Sequence, residues 1–290
     1  MNFIMDTITG FFRDLLQGCV LTNLESMFGD VNEKVGTIAA EVSQTPGTWN
    51  AAIFGIVQSL STTVILPIAG AVVSFVLCSE LISLVVDRNN FHDLDTGFLF
   101  RYLFKACLAV VLLSHTTDIV MGIFDIGSML VSSAGSVITG ETSINVQSEL
   151  MDIFSGSLKS MEMGDLFILA IETGLASLGM RIMALLITVV LYMRMMEIYL
   201  YISVAPLPMS MLMNREWGAV GTNYIRGLAA LALQGFFIMV CVGIYSVLVS
   251  TITVSGNLHS ALWQVMAYTV LLCFALFNTA TISRSVMSAH

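Results

Sequence analysis

The side chains best placed to do chemistry are a few charges set inside apolar runs. Arg194 and Glu197 stand in LYMRMMEIYLYISVAPLPMSML, residues 191–212. At i and i+3 they share one helix face. Where lipid surrounds such a run, each mid-depth charge costs about 2.5–3.5 kcal/mol on insertion scales. Two readings follow: a structural ion pair that docks the helix on a neighbour, or the wall of a water-lined passage or subunit seam. His115 and Asp118, in Ser-His-Thr-Thr-Asp, resemble a proton relay near a membrane boundary, and interfacial solvation accounts for them as well. Glu80 sits near the end of an apolar run, where snorkelling or capping is expected. Glu172 and Arg181 are expected to be ordinary solvated charges if their helix projects from the bilayer.

Signatures of catalysis are missing from the sequence. There is no Walker loop, no H-E-x-x-H and no G-x-S-x-G. His92, His115, His259 and His290 form no metal spacing. The five cysteines show no C-x-x-C pattern and are expected to be buried, inert thiols. The sequence therefore predicts neither an enzyme nor a cofactor or metal site. It also carries no energy-coupling motif, so active transport would draw on a partner ATPase or an ion gradient.

The elements that position these charges follow from composition. Hydrophobic residues make up 57% and charged residues 11%, with a mean hydropathy of +0.89. A soluble domain carries about 25% charged residues, so too few polar side chains remain to coat a water-facing globule. Apolar runs long enough to span a bilayer recur instead. The predicted fold is an all-α, polytopic helical membrane protein. About five transmembrane helices are expected, at 51–86, 98–124, 166–205, 224–251 and 262–282, with amphipathic extracytoplasmic helices. The run 166–205 would be about 60 Å long as one helix, against a hydrocarbon core of about 30 Å. It must tilt strongly or project as a ridge.

Basic residues orient the chain. Arg88, Arg101, Lys105, Arg215, Arg226 and Arg284 lie at one set of loop ends, which the positive-inside rule makes cytoplasmic. The N-terminus is then outside and the C-terminus inside a multi-pass cell (cytoplasmic) membrane protein. The expected organisation is an extracytoplasmic amphipathic segment over 1–50, spans one and two with a cytoplasmic loop over 51–124, an extracytoplasmic helical loop over 125–165, and spans three to five over 166–290. No cleavable signal peptide is evident at the start, where Phe3, Ile4, Ile8, Phe11, Phe12, Leu15, Leu16 and Cys19 recur at helical spacing. A second helical stripe, Leu150, Ile153, Phe154, Leu158 and Met161, is predicted in the outer loop. Trp49, after a Thr-Pro-Gly turn, is expected at the outer interface. The net charge of −9 argues against a nucleic-acid-binding surface.

Pro206 and Pro208 interrupt regular helix hydrogen bonding and bias the residues before them towards extended backbone. A stop or elbow is predicted there, followed by a cytoplasmic loop over 206–223 that mixes methionines with Arg215, Glu216 and Trp217. Such a surface suits contact with a cytoplasmic partner; an interfacial elbow anchored by Trp217 is the other reading. Small residues at Gly70, Ala71, Ser74, Gly227, Ala230, Gly235 and Gly243 permit close helix approach in a packed bundle or oligomer.

With an outer N-terminal segment, about five spans, and APLPMSMLMNREWGAVGTNYIRGLAALALQGFFIM over 205–239, the chain resembles the VirB-six/TrbL class. These are polytopic membrane subunits of type IV secretion and conjugal transfer systems, and the short versions of Gram-positive conjugative elements are the most similar. The resemblance implies a channel or scaffold subunit of a conjugative DNA-transfer apparatus. It implies a homo-oligomer in membrane lipid, working beside other secretion-system membrane subunits and a cytoplasmic transfer ATPase, with transient contact with translocated DNA or protein. It carries over no catalytic residues. The rival reading is a stand-alone secondary transporter or ion channel, with His115 or Asp118 setting its pH dependence.

Overall fold

The computed structural model describes residues 2–87, 96–141, 156, 158, 161–252 and 258–289. Regular structure there is helical, with no strand among the described residues. The helices are α1 (Asn2–Val42), α2 (Pro46–Trp49), α3 (Ala51–Leu60), a π segment (Ser61–Ile65), α4 (Leu66–Asp87), α5 (Thr96–Ser114), α6 (Thr116–Glu141), α7 (Met163–Val204), α8 (Pro206–Met211), α9 (Gly218–Ser250) and α10 (Leu258–Val286). Among the described residues five stretches are long and apolar enough to cross a membrane: Ala51–Ser83, Thr116–Ile138, Met163–Val204, Gly218–Ser250 and His259–Val286. Large apolar side chains stay exposed along all five, among them Ile68, Met129, Leu185, Ile244 and Phe274. Water would penalise such faces and hydrocarbon does not. The protein is an all-α polytopic membrane protein.

The chain divides into two compact units. The first comprises Met1–Val42, Val131–Tyr192 and Phe237–Thr279. Its core includes Leu24, Met27, Leu169, Met180, Ile187, Ile238 and Leu272. Polar side chains tie α1 to the stretch around α7. Arg13 Nη2 donates to the Met161 carbonyl at 2.6 Å and Gln17 Nε2 to that of Leu158 at 2.9 Å. Asn23 Nδ2 donates to Thr173 Oγ1 at 3.4 Å, and Arg181 Nη2 to Ser26 Oγ at 2.8 Å. The first three are partly buried and satisfy groups that apolar surroundings would otherwise penalise.

The second unit comprises Ser43–Leu130, Met193–Phe236 and Ala280–His290. Phe124, Ile198, Tyr199, Met209 and Leu228 form part of its core. Its first elements are strongly capped. Thr45 and Thr48 form a capping box on α2, and Asn50 Oδ1 accepts from the Ala52 and Ile53 amides to start α3. The π segment precedes Pro67, which has no N–H to give. The Leu66 amide reaches back five residues to the Ser61 carbonyl, a local widening that relieves the clash between the proline ring and the preceding turn.

Several sequence expectations change. The start is a single helix, α1, that continues to Val42, and Ile8, Phe11, Phe12 and Leu15 on it are exposed. The single span expected over 98–124 is divided between α5 and α6, which meet at His115; α6 runs on to Glu141, and the apolar window is Thr116–Ile138. Its serines and glycines lower its apparent hydropathy, yet they let it pack closely. A Cβ on Gly127 would lie 2.9 Å from the Ala232 Cβ. The stripe over 150–161 falls largely outside the described residues; Leu158 from it is buried in the first unit. Trp49 packs on Tyr199, with ring centroids 6.0 Å apart. Of the five thiols Cys19, Cys78 and Cys107 are exposed, Cys241 is half-buried and Cys273 is buried.

Candidate functional site

The second unit holds most of the side chains singled out from sequence. At its centre is the elbow that follows α7. Pro206 opens α8, where a proline costs nothing because the first amides of a helix have no intrahelical acceptor. Ala205 before it is helical, at φ −48° and ψ −43°, so the extended geometry expected ahead of the prolines is not adopted. The prolines start a short helix after the stop of α7, and both are buried. α8 packs against α4, α5 and the π segment.

After α8 the chain turns on Asn214, whose Oδ1 accepts from the Glu216 and Trp217 amides at 2.7 and 2.8 Å. This Asx-type turn delivers the chain to α9. Gly221 makes the turn possible: a Cβ there would lie 2.7 Å from the Pro208 carbonyl oxygen and 2.9 Å from Leu212 Cα. Arg215 and Glu216 are exposed on the turn. Trp217, 41% exposed, stacks on Phe75 with centroids 5.8 Å apart and planes at 16°. Tyr224 donates its hydroxyl to the Tyr201 carbonyl at 2.8 Å.

Apart from His115 and Asp118, the charges fall into pairs other than those expected from spacing. Glu197 forms its ion pair with Arg284 of α10, not with Arg194. Beside that pair the Ser283 hydroxyl donates to the Ala230 carbonyl of α9. Arg194 is only 6% exposed, and its Nε has no hydrogen-bond partner among the described residues. Glu80, expected to snorkel or cap, pairs with Lys105, joining α4 to α5, and Tyr102 donates to the Leu77 carbonyl at 3.0 Å in the same hairpin. His115 and Asp118 do meet, Nδ1 to Oδ2 at 3.0 Å, with both side chains largely exposed. They mark the junction of α5 and α6, through which backbone bonding continues from His115 to Val111 and from Ile119 to His115.

In the first unit Glu172 is not a plain solvated charge. His259 Nδ1 lies 2.5 Å from Glu172 Oε2, linking α10 to α7 with both side chains partly buried. Sequence reasoning missed this pair and the Glu197–Arg284 and Glu80–Lys105 pairs for one reason. The partners are far apart along the chain, and only helix packing brings them together. No group of three or more His, Cys, Asp or Glu that could hold a metal occurs among the described residues.

The family model for TrbL/VirB6 plasmid conjugal transfer like proteins matches residues 31–206, more than half of the chain. No curated protein and no solved structure matches it. The matched range stops at Pro206. Nearly all of the 205–239 stretch on which the sequence resemblance rests therefore lies beyond it, and the match runs from within α1 to the first residue of α8.

Proposed function

Because the chain belongs to the TrbL/VirB6 family of plasmid conjugal transfer like proteins, we propose that it is a channel or scaffold subunit of a conjugative DNA-transfer apparatus in the cytoplasmic membrane. Its five long apolar helices, in a member of this family, carry the proposal. Their outward apolar faces suit lipid and neighbouring copies alike. In this reading the energy for transfer comes from a partner, a cytoplasmic ATPase. The elbow is the proposed contact for that partner. Pro206 and Pro208 fix its course, and the exposed Arg215 and the half-exposed Trp217 face outward for recognition.

Deleting the gene in donor cells should abolish DNA transfer, and the intact gene in trans should restore it. The detergent-extracted protein should run as a homo-oligomer and co-purify with the transfer ATPase, and Arg215→Glu should weaken that co-purification. Normal transfer in the deletion strain, or ion or solute flux through liposomes holding this chain alone, would replace the secretion role with that of a self-contained transporter.

A further inference from the structure

Glu197 has two possible cations and holds one of them. Arg194 lies three residues before it on the same face of α7, inside the protein and without an ion-pair partner among the described residues. Arg284 reaches Glu197 from the last turn of α10, where it is nearly half exposed. The energetic positions of the two arginines differ. A guanidinium is a permanent cation, and leaving one buried without a carboxylate is costly. Arg284 at a helix end can return to water at little cost. Its release would also free Ser283 from the Ala230 carbonyl. The state with α10 docked therefore leaves a buried charge unpaired, and the state with its last turn released can pair that charge. Two such states, differing in which arginine holds Glu197, would make a bistable element.

We infer that the C-terminal turn of α10 is a releasable latch, in which Arg284 competes with Arg194 for Glu197. With the latch closed, Glu197 holds Arg284 and the end of α10 lies against α7 and α9. With it open, Glu197 turns along its own helix to Arg194. The inference concerns a contact within one chain and does not depend on the secretion role.

The test uses hydrogen–deuterium exchange of the 280–289 segment and thermal unfolding, both on the full chain purified in detergent. Arg284→Ala should speed exchange of the segment about tenfold, the effect of losing about 1.4 kcal/mol of docking. Arg194→Met removes the competitor and should slow exchange there. In a Glu197→Gln background the same Arg194→Met change should have no effect. Thermal unfolding gives a second signature that survives if one variant expresses poorly, because Arg194→Gln can replace Arg194→Met in it. With Arg284 present, removing the Arg194 charge should raise Tm. With Arg284→Ala it should lower Tm, since Glu197 is then left with no cation. Exchange unchanged or faster in Arg194→Met, or a Tm shift of one sign in both backgrounds, would overturn the latch.

Discussion

At the scale of single residues, the ion pairs set what each helix can tolerate. Glu80 is 14% exposed and Lys105 35%, so the pair lies between the surface and buried regimes. Removing one partner of a buried pair costs about 3–5 kcal/mol, because the other charge stays behind without water. With Lys105 a third exposed, Lys105→Met should cost less, about 1–2 kcal/mol, read as a lowered Tm of the detergent-purified chain. The double change Glu80→Leu with Lys105→Met should recover most of that loss, since neither charge then remains to be solvated. Equal Tm values for the single and double variants would show that the contact contributes no stability. Spacing alone singled out Arg194, Glu197, His115 and Asp118 as unusual. It could identify partners only within one helix: it found His115 with Asp118, and it assigned Glu197 to Arg194 because nothing in a linear pattern reveals Arg284.

At the scale of elements, close backbone approach matters more than any charge. Gly221 lets α9 begin against α8, and among the nearest atoms to a Cβ there are backbone atoms of Pro208 and Leu212. Backbone cannot swing aside as a long side chain can. Gly221→Val should therefore cost about 1–3 kcal/mol by overpacking and reduce the yield of folded protein. A Cβ added at Gly122, on α6, would meet nothing within 4 Å. Gly122→Ala should raise Tm, since alanine is favoured over glycine in a helix by up to about 1 kcal/mol. A loss of similar size in both variants would mean that glycine content, not the approach of α8 and α9, governs stability. Helices were legible from sequence wherever a long apolar run coincided with them, as in α7 and α9. The boundary of α6 was not, because Gly127, Ser128, Ser132 and Ser133 read as loop residues, although a membrane helix uses such residues for packing. The π segment was missed for a related reason: Pro67 changes the local hydrogen bonding without stopping the helix.

At the scale of the whole molecule, the prediction concerns sidedness. Five spans, an odd number, would put the two termini on opposite sides of the membrane, with the basic residues expected to set which is which. In the sequence Arg88, Arg101, Lys105, Arg215, Arg226 and Arg284 all fall on the side expected to be cytoplasmic by the positive-inside rule. The pairing of Glu197 with Arg284 supplies an independent constraint. Glu197 is near the end of α7 and Arg284 in the last turn of α10, so within their unit these two helices end together. The C-terminus and the proline elbow are then expected to share a compartment, whichever side that is. In intact cells stripped of their outer layers, added protease should remove a tag at the N-terminus and spare a tag after His290 and another inserted at Arg215. Two outcomes would be informative in different ways. If the C-terminal and elbow tags behaved differently from each other, the Glu197–Arg284 contact could not exist in the membrane. If those two agreed but the N-terminal tag was spared with them, the contact would stand while the span count became even, and α5 would be the first helix to examine as a separate crossing. Its sequence is apolar apart from Arg101 and Lys105, and it is joined to α6 through the bend at His115.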